Sequence, residues 1–187
     1  MEVHMNKTLP TLKSNRLLIR PINHNDCYDM YEYAKKDNVG PNAGWSPHKS
    51  LDETKNIIMN MINETLADNN IGVFSLVFKE NMKMIGTIGL HNYHEKNASA
   101  SLGYVLSPDY WGRGLMVEAV KTIITFAFDE LSIYRLECSH YDFNQQSKRV
   151  IEKVGFIFEG ISRKNKVLLN GNRCDTHNYS ILKSDWQ

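Results

Sequence analysis

Residues 99–140 restrict the fold more than any other stretch. An apolar run over 99–106 stops at Ser107-Pro108-Asp109, and a turn carrying Gly112 and Gly114 follows. From about Gly112 to Glu130 the spacing predicts a long helix that buries Val120, Ile123, Ile124, Ala127 and Leu131. A further β-prone segment lies near 134–140. Strand, helix and strand in that order form a crossover, which pairs its two strands in parallel and lays the helix on their sheet.

The segments around this unit read as hairpins and short helices. Residues 16–22 form a β-branched-rich run closed by Pro21. A helix follows, capped by Asn25 or Asp26, with Cys27, Met30, Tyr31 and Ala34 on its apolar side. A second helix starts at Ser50, where Glu53 completes a capping box, and its stripe is Ile57, Ile58, Met61, Ile62 and Leu66. Runs 73–78 and 84–90 flank Lys79-Glu80-Asn81 as a hairpin. Downstream come a helix near 144–154, Gly155 at its left-handed C-terminal position, and strands 156–158 and 178–182 turning at Asn170-Gly171. The expected class is α/β (α+β): one domain over 1–187, with 1–10 as a flexible extension. Its core is a central mixed, mostly antiparallel twisted sheet of about six or seven strands, with helices on both faces.

Composition narrows the function. Of 187 residues 42% are hydrophobic and 23% charged, which excludes a disordered chain. Lys plus Arg (22) nearly balances Asp plus Glu (21), so neither nucleic acid nor an anionic membrane is an expected partner. There is no membrane-length apolar run and no apolar export segment in residues 1–7. Cys27, Cys138 and Cys174 are odd in number and far apart, which fits a reducing cytoplasm. His91-x-x-His94 beside Glu95 reads as solvated side chains, and no metal is expected.

The turn before the long helix has the makings of an anion site. First-turn N–H groups lack partners within a helix, and two glycines let phosphates approach the main chain. A Walker loop would need Gly-Lys-Ser/Thr where Leu115-Met116 stand. A dinucleotide fingerprint would need a third glycine where Val117 stands. From the two glycines alone, a ligand-free helix start is an equal alternative.

The segment Tyr110-Trp111-Gly112-Arg113-Gly114-Leu115-Met116-Val117-Glu118-Ala119 resembles the acyl-CoA pyrophosphate loop of the GCN5-related N-acetyltransferase (GNAT) superfamily. Its flanks resemble the ribosomal-protein (RimJ/RimL-like) branch over nearly the whole chain. They are Arg16-Leu17-x-x-Arg20-Pro21 with Asp26, Ile85-Gly86, Leu102-Gly103-Tyr104, Asn144-x-x-Ser147, Glu152-Lys153-Val154-Gly155-Phe156 with Glu159-Gly160, and Tyr179-Ser180-Ile181-Leu182 with Trp186.

The resemblance implies a GNAT fold and an acetyl-CoA co-substrate. Its pyrophosphate would lie on the main-chain N–H groups of Trp111, Gly112, Arg113, Gly114, Leu115, Met116 and Val117. The pantetheine arm would pair with Gly103, Tyr104, Val105 and Leu106 in a splay between two strands, where an N–H would stabilise an oxyanion. Asn144 would contact the arm as well as cap its helix. Many members place a tyrosine where Ile151 stands, so Ser147 becomes the implied general acid, against the alternative of a solvated first-turn serine. The usual acid before Gly-Tyr is replaced by Ser101-Leu102, and another falls at Lys166, which leaves Glu95, His140, Asp175 and His177 as candidate bases. Trp45 and His48 lie in the acceptor region.

An α-amine titrates near 7.7–8.0 and a lysine amine near 10.4, a gap of roughly 3 kcal/mol in deprotonation. Weak base chemistry therefore favours a protein N-terminus as acceptor. A polyamine or aminoglycoside acceptor and a non-catalytic acyl-CoA sensor are the alternatives. Direct transfer is expected, with Cys138 packed rather than nucleophilic, by a monomer or homodimer.

Overall fold

The computed structural model describes residues 9–65 and 69–186. Residues 1–8 of the expected extension, and Leu66, lie outside them.

Eight strands form one sheet: β1 (Leu12–Lys13), β2 (Leu17–Pro21), β3 (Gly72–Phe78), β4 (Lys83–His94), β5 (Ser99–Leu106), β6 (Arg135–Tyr141), β7 (Ile157–Val167) and β8 (Arg173–Leu182). Their spatial order is β1-β2-β3-β4-β5-β6-β8-β7. Every neighbouring pair is antiparallel except β5 and β6, which the crossover makes parallel. The expected six or seven strands become eight because β1 is a two-residue strand, too short to leave a period in the sequence. The closing hairpin does turn at Asn170 and Gly171, but its arms extend well beyond 156–158 and 178–182.

Helices α1 (Cys27–Ala34), α2 (Gly40–Ala43) and α3 (Leu51–Glu64) precede β3, α4 (Leu115–Asp129) joins β5 to β6, and α5 (Gln145–Val154) follows β6. They give the sheet two covered faces. Ile123, Ile124 and Phe128 of α4 and Ile151 of α5 pack with Phe74, Ile88 and Leu136 on one side. Met30, Tyr33 and Ala34 of α1 and Ile58 of α3 pack with Val73 and Val77 on the other. Tyr33 is buried where the spacing had pointed to Tyr31, which is only half-buried.

The cap before α1 also differs from expectation. Asp26 stands at the N-cap position of α1 as expected but makes no side-chain capping bond there, and Asn23 caps the short 3-10 turn 24–26 before it, accepting the N–H of Asn25 at 2.9 Å. The Asp26 carboxylate is 3% exposed and is spent elsewhere. It takes the Arg20 guanidinium at 2.9 and 2.5 Å, the Ser75 hydroxyl at 2.7 Å and the Asn23 N–H at 3.0 Å. Burial pushes its pKa up, but these hydrogen bonds and the Arg20 charge outweigh that and hold it below the usual carboxylate range. The network fastens β2, β3 and the start of α1 together.

Candidate active site

Between β5 and β6 the parallel register runs for three pairs, Ser99 with Arg135 to Ser101 with Glu137, and stops. β5 nevertheless stays paired with β4 as far as Leu106. Its last five residues therefore have no strand on their β6 side. Which main-chain groups face this gap follows from alternation along an antiparallel ladder. The Ser107 N–H donates to Ile85 on the β4 side, while the Ala98 carbonyl accepts from Tyr134 and Arg135 on the β6 side. Leu102, Tyr104 and Leu106 thus turn their N–H and C=O groups to the gap, and Gly103 and Val105 spend theirs on β4. Of the four residues expected to meet a pantetheine arm, Tyr104 keeps both main-chain groups for it. The Leu106 carbonyl already accepts the Trp111 indole N–H at 2.8 Å. That bond turns the Trp111 side chain into a brace at the strand end.

The gap opens towards the loop that starts α4. Gly112 and Gly114 both have φ +74°, a left-handed conformation that keeps the helix from starting before Leu115. Among the described residues, no protein acceptor takes the N–H groups of Gly112, Arg113, Gly114, Leu115, Met116 or Val117; the first helical bond is from Glu118 to Gly114. A Cβ on Gly112 would meet nothing within 4 Å, and one on Gly114 would meet only Arg16, its Nη2 at 3.8 Å. Six adjacent donors, an open approach and a helix N-terminus suit a dianionic group.

Two arginines border the loop. Arg16 donates to the Arg113 carbonyl at 2.9 Å and pairs with Glu118 at 2.8 Å, so the residue just before β2 holds the loop from outside the crossover. Burial pushes the Glu118 carboxyl up, but bonds from the Arg16 N–H, the Ser14 hydroxyl and the Arg16 guanidinium lower it overall. The Arg113 guanidinium lies over the rings of Phe78 and Tyr110, at 4.9 and 5.4 Å. Leu115 and Met116 send their side chains into the core.

Across the gap, Asn144 caps α5 by accepting the Ser147 N–H at 3.0 Å, and it donates to the Asn42 carbonyl at 3.1 Å. These bonds tie the α2 loop to α5. The Ser147 hydroxyl lies 3.0 Å from the Tyr104 hydroxyl, whose pKa burial raises well above its ordinary value. The sequence marked Ser147 alone; its partner lies 43 residues away on a facing strand.

On the opposite face a cavity of about 340 Å³ is floored by Thr87 and Val105 and walled by Met30, Tyr33, Trp45, Ile57 and Met61, with His48 and Glu53 as polar groups. Trp45 and His48 thus come together, their rings 5.0 Å apart. Thr54 donates its hydroxyl proton to the Ser50 carbonyl and so accepts from His48 Nδ1 at 2.8 Å, which leaves Nε2 as the acceptor nitrogen. Burial lowers the His48 pKa against the opposing Glu53 charge.

The four candidate bases are not brought into this cavity. His140 and His177 stack at 5.0 Å on the α5 side of the sheet, Asp175 is bound to Lys164, and Glu95 is exposed beyond β4. His94 caps the turn after β4, and no cluster suited to a metal occurs among the described residues. No described helix is long and apolar enough to cross a membrane.

Residues 16–157 match the acetyltransferase (GNAT) domain family, and the chain belongs to that family. It is an N-acetyltransferase by kinship with several. The uncharacterized N-acetyltransferase YoaA of Bacillus subtilis is 27% identical over 175 residues, 93% of this chain and 97% of that protein. The ribosomal protein uS5-alanine N-acetyltransferase of Escherichia coli is 24% identical, covering 94% of this chain and 92% of its own length. Among solved structures, a RimL ribosomal L7/L12 alpha-N-protein acetyltransferase in complex with coenzyme A superposes with a TM-score of 0.84 at 20% identity, covering 94% of this chain and 99% of that one.

Proposed function

We propose that this chain, acting as one domain, transfers an acetyl group from acetyl-CoA directly to a primary amine, with a protein or peptide N-terminus as the preferred acceptor. The observation that carries the reading is the row of six unpaired N–H groups from Gly112 to Val117. A pyrophosphate matches it in charge and in number of acceptors. Bound acetyl-CoA supplies an activated thioester; the chain supplies position and proton transfer.

Arg16 and Arg113 add positive charge beside the phosphate cradle. Tyr104 offers main-chain groups to the arm, while Asn144 and Ser147 line its other side. Ser147, backed by Tyr104, gives a proton at the departing sulfur, and the Tyr104–Ser147 contact at 3.0 Å is short enough for such a relay. Burial pushes the Cys138 thiol up to about 12, which argues against an acetyl-cysteine and for direct transfer.

The acceptor cavity bears on the amine. Its walls are mainly apolar and its one carboxylate is Glu53. A polyamine or aminoglycoside would bring several positive charges to that single anion, whereas a peptide α-amine brings one. The kinship with a uS5-alanine acetyltransferase points the same way.

The test is release of free CoA thiol from acetyl-CoA against a panel of peptides with free N-termini, lysine peptides with blocked N-termini, polyamines and aminoglycosides. A peptide N-terminus turned over fastest supports the reading, and a faster lysine, polyamine or aminoglycoside overturns the acceptor. Tight acetyl-CoA binding with no turnover on any amine would make the chain a sensor.

A further inference from the structure

The family's usual carboxylate base is missing from β5, and the sequence-derived substitutes lie elsewhere. Beyond Thr87 and Val105, which floor the acceptor cavity, the next cross-strand pair on the same face of the sheet is Gly89 and Gly103. Neither glycine has a side chain, and the space is taken by the imidazole of His91, one step further along β4. A Cβ on Gly89 would stand 2.5 Å from His91 Nε2, and one on Gly103 would stand 3.7 Å from its Cδ2. The ring therefore occupies the space over bare main chain, beside the first residues of β5 that β6 leaves unpaired. It is half-buried and has no hydrogen-bond partner among the described residues.

We propose that His91 is the general base of this enzyme, accepting the proton of the acceptor ammonium beside Gly103. The inference rests on the acetyl-transfer reading above. Nε2 takes one ammonium proton and passes it to solvent. The freed lone pair forms the C–N bond to the acetyl carbon as the C–S bond breaks, its electrons leaving on sulfur. The amine's second proton, shed as the amide forms, restores the proton that Ser147 gives to the departing sulfur, so one proton is released in all.

Burial lowers the pKa of His91 from its ordinary 6.5 against the field of Glu64 at the end of α3, so the ring is neutral and basic at pH 7. Among the described residues, further charged groups near this side are Arg135 on β6, shared by Glu137 beyond Ser101 and Glu159 of β7, and Glu95 after β4. His48 lines the acceptor cavity itself, with its acceptor nitrogen set by Thr54, and is the rival that the test must separate.

The test follows kcat against pH for wild type, His91→Gln, His91→Ala and His48→Gln, with an alanine-initiated peptide amide, alongside calorimetric titration with acetyl-CoA. Wild type should lose rate below an apparent pKa under 6.5. His91→Gln should lose that limb and about a hundredfold in kcat with its acetyl-CoA affinity kept, and added imidazole should partly restore His91→Ala. An intact limb and a near-wild-type rate in His91→Gln would overturn the proposal, as would loss of the limb in His48→Gln alone. Wild type that binds no acetyl-CoA overturns the transfer reading itself, and the base with it.

Discussion

Replacing Gly114 with alanine isolates the contribution of the cradle, because Gly171 provides a matched control. The two glycines have nearly the same backbone, φ +74° and +81°, and neither meets protein atoms closer than 3.8 Å at its Cβ position. Alanine in a left-handed conformation costs about 1–2 kcal/mol, so each variant should melt roughly 2–8 °C below wild type in a chain of this size. Only Gly114 lies among the unpaired N–H groups. At a ligand concentration of 100 Kd, acetyl-CoA should stabilise wild type and Gly171→Ala by about 2.7 kcal/mol. A methyl group at 114 that weakens binding tenfold removes about 1.3 kcal/mol of this at the same concentration, or roughly half the thermal shift. Scanning fluorimetry with and without acetyl-CoA reads both quantities. Equal ligand-induced shifts in the two variants would refute the placement of the phosphates.

Asp26→Ala should cost about 3 kcal/mol in urea unfolding at pH 7, at the low end for a broken buried pair because Arg20 is 28% exposed. The folded-state pKa of Asp26 is lowered, so its contribution is complete above the unfolded carboxylate value and is lost as pH falls through the lower folded one; the gap between wild type and Asp26→Asn should close only in that acid range. Tyr104→Phe and Ser147→Ala should each reduce kcat roughly tenfold or more with a smaller loss of acetyl-CoA affinity, and the double variant should be little worse than either, because the two hydroxyls act as one unit. Glu118→Gln should loosen Arg16 and weaken acetyl-CoA binding about fivefold by titration, with a smaller effect on kcat.

The readable parts of the sequence were those set by local chemistry. Strand β5 ends where Ser107-Pro108 ends it, Gly155 adopts φ +107° after α5, and Ser50 caps α3 by accepting the Glu53 N–H, although the Glu53 carboxylate takes the Lys49 N–H and does not close the expected capping box. Long-range pairing was not readable. Asp26 sits six residues from Arg20 but 49 from Ser75, and a carboxylate beside a helix start looks like a cap until those partners are known. β7 was underestimated because an exposed edge strand running Ser162-Arg163-Lys164-Asn165-Lys166 shows no apolar alternation. The glycine loop was legible as an anion site, and Ser147 as a candidate acid. Tyr104 and His91 were not legible in those roles, since both depend on which face of the sheet a strand residue takes and on what the neighbouring strand leaves bare.

The abrupt end of the β5–β6 register also bears on how this molecule avoids sticking to its own kind. Most sheets keep their unsatisfied amides at the outer rim, where a stranger's strand can dock. Here a set of them lies in an interior slit walled by α4 and α5 above and by the α1–α3 layer below. A polypeptide strand entering it would need room for side chains alternately up and down, whereas a slender arm with few branches needs little of it. The slit thus sorts visitors by cross-section, admitting a slender filament with little branching and turning away another β-strand.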